Sequence, residues 1–268
     1  MRTNVSSRSN TMRHRHVVVN ADDFGLSRQT NAGILQAFEM GLISSATIMS
    51  SMPGFEEACQ LVHRHRLNGK IGLHLNFTEG KPLTAAIADC PGFCDARGYW
   101  LPRRTVRSLT GKEARLLEAE ILAQFQACRQ QGITLTHWDS HNHMHWQLGF
   151  TPVVIRMAKR CGITGIRIRR NCGPLPKDPS MARRILTPIV RRVRNLTFQV
   201  HGLARTDYFG DAVDTAPILR ATRSDVEVMV HPTVDENGRL IDLYGEDLQS
   251  LVGALRIPSA EMCSYQNL

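Results

Sequence analysis

Two periodicities alternate along nearly the whole chain, and few folds accommodate that alternation. Short β-branched and apolar runs are each followed by a segment whose apolar residues recur at helical spacing. His16 to Asn20 reads as a strand, Ala21-Asp22-Asp23-Phe24-Gly25 as a loop, and Gln29 to Met40 as a helix. The unit recurs in Ser45 to Met49 with Gly54 to His65, and Lys70 to Phe77 is the next strand. Thr110 to Gln131 is the strongest helix: Thr110 stands at the N-cap position, Glu113 completes a capping box and Gly132 marks the stop. Beyond it come a strand in Ile133 to Ser140, a helix in Phe150 to Cys161, a strand near Gly165 to Arg169 and a helix in Met181 to Arg194. Strands near Ala204 to Phe209 and in Val226 to His231 complete the series. Strands separated by helices pair in parallel, because a parallel connection needs a crossover long enough to hold a helix. About seven such units in 268 residues, with no glycine-rich dinucleotide fingerprint after the first strand, predict a single-domain α/β barrel rather than a doubly wound sheet.

Three of these strands end in acids or histidines. Asp22 and Asp23 follow the first, His74 lies in Gly72-Leu73-His74-Leu75-Asn76, and Asp139-Ser140-His141-Asn142-His143-Met144-His145 follows the fourth. In an α/β barrel the strand C-termini share one face, so residues far apart in sequence converge there. One carboxylate with two neutral imidazoles leaves coordination positions open, as a catalytic divalent ion requires. A lone histidine at a strand end is usually structural; three such ends in one chain favour a metal site. Within Asp139 to His145 the acid and the histidines alternate, so an extended segment would aim them to one side at a spacing of about 7 Å, too far for one ion to take all of them. His141 is the expected ligand, with a His141/His143 chelate as the rival. Of the adjacent acids, one can ligate and the other face a water at the frayed strand end. His231, closing the apolar strand ahead of Pro232, would reach the same mouth and protonate a leaving amine.

Composition narrows the function classes. The 42% apolar and 21% charged residues are those of an ordinary globular chain, and no apolar run is long enough to span a membrane. Met1 to His16 lacks the apolar core of a secretory signal, so residues 1–15 read as a flexible basic tail, residues 16–268 as the domain, and the cytoplasm as the location. Seven scattered cysteines form neither a disulfide framework nor a zinc ribbon and read as reduced thiols. The net charge of +9 is concentrated in the tail and in Arg183 to Arg194, which reads as a solvated basic face. Nucleic acid is not an expected partner; an anionic membrane surface and a homodimer stay open. Pro82 to Pro102 has no clear period and is expected to cap one end as a functional loop, with a lid as one form.

Asn20-Ala21-Asp22-Asp23-Phe24-Gly25-Leu26-Ser27, Gly72-Leu73-His74, Asp139-Ser140-His141 with its trailing histidines, and His231-Pro232 resemble, in this order, the motifs of the YdjC/ChbG (HpnK-like) carbohydrate deacetylases. The likeness extends from Val17 to Pro232, with a weaker echo at Ser264 to Leu268. It implies a distorted TIM-like barrel that hydrolyses the acetamide of an N-acetylglucosamine-containing oligosaccharide or glycolipid. Asp23, His74 and His141 would hold one divalent ion, zinc first, with magnesium or another divalent ion admitted. Asp22 would be the general base and His231 the general acid, while Asp139, His143, His145 and Asn76 would support the ligands or meet the N-acetylated sugar. The alternatives are another metal-dependent hydrolase such as a phosphoesterase, which would want more carboxylates, and a non-catalytic binder of nucleic acid or anionic lipid built on the basic segments.

Overall fold

The computed structural model describes residues 15–102, 105–173 and 195–268, together with Leu186 and Val193. Strands β1 (Val17–Phe24), β2 (Ser45–Ile48), β3 (Ile71–Leu75), β4 (His137–Ser140), β5 (Gly165–Ile166), β6 (Tyr208–Asp211) and β7 (Val226–Val230) form one sheet. Its order is β5-β4-β3-β2-β1-β7-β6, and every pairing is parallel. The crossovers carry α1 (Arg28–Glu39), α2 (Phe55–Arg64), α3 (Ala85–Ala88), α4 (Gly111–Gln130), α5 (Thr151–Arg160) and α6 (Ala212–Ala221). The predicted helix in Met181 to Arg194 lies outside the described residues, apart from Leu186 and Val193, which are helical.

The sheet curls until its edges almost meet. Ala204, four positions ahead of β6, bridges Gly165 in parallel: its N–H donates to Thr164 at 2.6 Å and its carbonyl accepts from Ile166 at 3.0 Å. This short seam makes a distorted TIM-like barrel from seven strands. β1, β2, β3 and β7 are buried along their full length, as a sheet covered on both sides requires.

Several strands are shorter than expected, with Lys70 to Phe77 reduced to Ile71–Leu75 and Gly165 to Arg169 to Gly165–Ile166. Only His137–Ser140 of Ile133 to Ser140 is strand, because the preceding residues return from α4. The expected strand in Ala204 to Phe209 keeps only the Ala204 bridge and then β6. Thr110 and Glu113 make the full capping box, and Gly132 takes φ +72° at the exit of α4. The segment Pro82 to Pro102 is a wall rather than an open flap. Ile87, Phe93, Cys94 and Trp100 are buried in the main core, and Glu120 of α4 accepts from the Leu83 and Thr84 backbone and the Thr84 hydroxyl at 2.8 to 3.0 Å.

After β7 the chain makes an antiparallel hairpin, β8 (Pro232–Val234) with β9 (Leu240–Asp242), followed by α7 (Leu248–Gly253). The hairpin rests directly on α1 at Gly33, where a Cβ would lie 2.5 Å from the Thr233 backbone, so only glycine permits that approach. Arg15, the last residue of the basic tail, is buried and bonded to Leu219, Thr222 and Glu261. None of the seven cysteines is bridged to another, and no helix among the described residues is long and apolar enough to cross a membrane.

Candidate functional site

The strand C-termini form the mouth of the barrel, and a break in β1 shapes it. The β1–β2 register is irregular between Ala21 and Phe24, and Asp23 takes φ +69°, a left-handed conformation that few non-glycine residues adopt. The strand is therefore not frayed at this point. It continues through Phe24, and the irregularity turns two neighbouring acids toward different partners. Asn31 braces the turn that follows, accepting from Gly25 N–H at 2.7 Å and donating to the Gly54 carbonyl at 2.9 Å.

Asp23 meets the two expected imidazoles. Its Oδ1 lies 2.8 Å from His141 Nδ1 and 3.1 Å from His74 Nε2, and one donor atom from each of the three residues falls within 4.8 Å of the others. His74 is aimed from behind, with Nδ1 2.7 Å from Asp139 Oδ1, while the Thr47 hydroxyl donates to Asp139 Oδ2 at 3.1 Å. A carboxylate supporting the far nitrogen of an imidazole fixes its tautomer and strengthens its free nitrogen as a ligand. Burial works against charge on His74, yet Asp139, Asp23 and Asp22 together hold its imidazole protonated up to about 10. Burial also opposes charge on Asp23, but the hydrogen bonds from His141 and His74 keep its carboxyl well below the usual range. A carboxylate held by two imidazoles that can exchange a proton for a cation is the donor chemistry of an open divalent-ion site.

A second trio, Asp22, His74 and Asp139, also has donor atoms within 4.8 Å. That space already holds a cation. Arg167 Nη1 and Nη2 donate to the two oxygens of Asp22 at 2.6 Å each, and Nη1 lies 2.7 Å from Asp139 Oδ2. The outer trio, reached from solvent past the partly exposed His141, is the better ligand set. Burial raises the Asp22 carboxyl, but the charge and hydrogen bonds of Arg167 outweigh it and hold Asp22 far below the ordinary carboxylate range, so Asp22 is ionised at working pH. His231 Nε2 stands 4.0 Å from Asp22 Oδ2. Its backbone is clamped by β9, with its N–H donating to Asp242 at 2.8 Å and its carbonyl accepting from Leu243 at 3.0 Å.

The histidines trailing His141 do not share one side of an extended segment. Residues His141–Trp146 form a tight helical turn in which Asn142 and His143 take φ near +55°, so each ring leaves in its own direction. His143 lies against Trp146, with ring centroids 4.2 Å apart, and burial depresses its basicity. His145 is fully buried between the Ser140 hydroxyl at 2.6 Å and the Arg167 carbonyl at 3.1 Å, and burial, reinforced by Arg167, lowers it to about 3. Asn76 closes the turn after β3: its amide donates to the Glu79 carbonyl and Ser51 hydroxyl, and its carbonyl oxygen accepts from Thr78 and Glu79. Of the expected supporting residues, only Asp139 touches a residue of the outer trio in these hydrogen bonds.

Arg167 and Glu227 lie outside every motif that predicts the site. Both carry a signal, since a glutamate second in Val226–Val230 and an arginine directly after Gly165–Ile166 are charges in positions expected to be apolar.

A relative from Halalkalibacterium halodurans described as a carbohydrate deacetylase is 32% identical over 238 residues, 86% of this chain and 90% of that protein. A Geobacillus stearothermophilus protein of the same description is 41% identical over 146 residues, spanning 54% of this chain and 57% of its own length. A crystal structure from Enterococcus faecalis V583, described as a candidate cellobiose-phosphate cleavage protein, superposes with a TM-score of 0.70 over 95% of this chain and 99% of that one at 18% identity, which is a likeness of fold. The family model for YdjC-like protein matches residues 16–258, and the chain belongs to that family.

Proposed function

We propose that residues 16–268 are a single deacetylase domain that hydrolyses the N-acetyl group of an N-acetylglucosamine-containing oligosaccharide or glycolipid, giving acetate and the free amino sugar. The observation that carries this reading is the outer trio Asp23, His74 and His141 at the barrel mouth, flanked by the ionised Asp22 and by His231. The two relatives described as carbohydrate deacetylases support the reaction class.

Asp23, His74 through Nε2 and His141 through Nδ1 would hold one divalent ion, with zinc favoured by the two nitrogens. When bound, such an ion polarises the acetamide carbonyl and acidifies water, the two things an unactivated amide lacks. Asp22 accepts the proton of the attacking water on its carboxylate. His231 delivers a proton from Nε2 to the departing nitrogen, because an amide anion is a very poor leaving group. Arg167 keeps Asp22 ionised and fixed, and Asp139 fixes His74.

The class is tested by incubating metal-loaded protein with N-acetylglucosamine, chitobiose, longer chito-oligomers and N-acetylglucosaminyl lipids and measuring acetate. Acetate from at least one substrate, abolished by a chelator and restored by divalent ion, is the expected result. Silence across the panel, with turnover of phosphoesters instead, refutes the deacetylase reading.

The ligand set is tested separately by calorimetric titration of zinc. Wild-type protein should bind one ion and release protons as it does so. Because His74 in the ion-free site stays protonated up to about 10, affinity should fall as pH falls through the neutral range. His74→Ala should lose stoichiometric binding, whereas full occupancy in that variant would remove His74 from the ligand set.

A further inference from the structure

The two carboxylates that frame the site are held from inside the barrel by a chain of bonds running to its opposite end. Arg167 reaches Asp22 and Asp139 with its Nη atoms and donates from Nε to Glu227 Oε1 at 2.7 Å. Its guanidinium lies over the Phe209 ring, 4.7 Å from the centroid. Glu227 is the second residue of β7, fully buried, and its other oxygen accepts from the Tyr265 hydroxyl at 2.5 Å. Tyr265 belongs to the C-terminal turn, which docks at the strand N-termini: Cys263 N–H donates to Val17, the first residue of β1, and the Ser264 hydroxyl donates to Gly69. The Tyr265 ring stacks on His137, the first residue of β4, at 3.8 Å and 8°. That stack exists because Gly72 and Gly165 have no side chains; a Cβ on Gly72 would lie 2.4 Å from the His137 ring.

We propose that Tyr265 and Glu227 are positioning residues: they fix the plane of the Arg167 guanidinium, and through it Asp22 and the Asp139–His74 pair, so that the C-terminal turn sets the geometry of the site from the other end of the barrel. A guanidinium forked onto Asp22 can still pivot about that fork. The bond from Nε to Glu227 is a third, divergent anchor that stops the pivot, and its strength depends on Glu227 carrying its charge. Burial pushes the Glu227 carboxyl up to about 7 despite Arg167 and Tyr265, so Glu227 is poised and the hydroxyl of Tyr265 helps to hold it ionised. Tyr265 is therefore more than a plug, since a phenylalanine would fill the same space.

Tyr265→Phe keeps the ring and its stack on His137, and Glu227→Gln keeps the shape of the glutamate. Both are compared with wild type and with the double variant. The first readout is independent of turnover and of metal: the Arg167 Nε–H resonance in nitrogen-15 spectra, assigned by its loss in Arg167→Lys. It should exchange slowly in wild type and at least about tenfold faster in each single variant, as opening of a formerly fixed group implies. The second rests on the deacetylase reading: kcat should fall about tenfold or more with KM within about twofold, the pattern of a misplaced catalytic group. Residues acting through one guanidinium are not additive, so the double variant should be no worse than Glu227→Gln. Unchanged Nε–H exchange, or losses that multiply in the double variant, overturn the proposal. A wild type that releases no acetate sinks the deacetylase reading and leaves the Arg167 resonance to decide this one.

Discussion

Asp22→Asn should leave the divalent ion bound and lower kcat by about 10² to 10⁴, the range for loss of a general acid or base. The two effects separate because Asp22 is not a member of the outer trio: its oxygens face Arg167, Asn20 and His231, whereas Asp23 faces His74 and His141. An amide keeps the shape of the carboxylate but cannot accept a proton at neutral pH. It also sets an NH₂ group against guanidinium donors, so some loss of stability should accompany the change. Parallel zinc titration and single-turnover assay decide it. Loss of the ion in Asp22→Asn, with the ion retained in Asp23→Asn, would mean that the two acids have exchanged roles.

Arg167→Met should be the most destabilising single substitution in the barrel interior, at about 3 to 5 kcal/mol, the cost of leaving buried charges without their partner. Arg167 is the shared counter-ion of Asp22, Asp139 and Glu227, all buried. Urea denaturation as a function of pH exposes the cause. In wild type the folded-state pKa of Asp22 is depressed, so its contribution is present above the unfolded value of about 3.8 and is lost as pH falls through the folded value. In the variant the same carboxyl is buried without a partner, its folded pKa rises, and the folded state loses ground as pH rises. The deficit should therefore be largest near neutrality and shrink toward acid pH. A deficit that does not change with pH would assign the loss to packing against Phe209 instead.

What could be read in the sequence and what could not divides along one physical line. The strand-to-helix alternation, the Thr110–Glu113 cap and the meeting of the Asp22–Asp23 pair with His74 and His141 follow from local periodicity plus a rule about where parallel strands end, and the resemblance singled out Asp23. The departures depend on tertiary contacts that no local pattern carries. The Asp139 to His145 segment alternates like a strand, yet only its first two residues remain paired, because β3, the strand they pair with, ends at Leu75 and the chain then turns. The β8–β9 hairpin that clamps His231 exists where Gly33 lets it touch α1, a contact 200 residues apart. Arg167 and Glu227 were readable as anomalies, charges in apolar company. Their proposed role depends on Tyr265, which reaches Glu227, and through it Arg167, because the C-terminal turn docks beneath the barrel.

The irregularity in β1 has an evolutionary side. In an unbroken strand, consecutive side chains face opposite ways, and a single position would have to serve both ion capture and proton transfer at one mouth. The left-handed turn at Asp23 instead gives two adjacent acids, to which the proposed mechanism assigns these two jobs, separate neighbours. A change around Asn20 would then bear first on Asp22 and a change around Thr47 or Asp139 on His74, whereas a change at Arg167 would reach both. An insertion or deletion inside this joint would displace both acids at once.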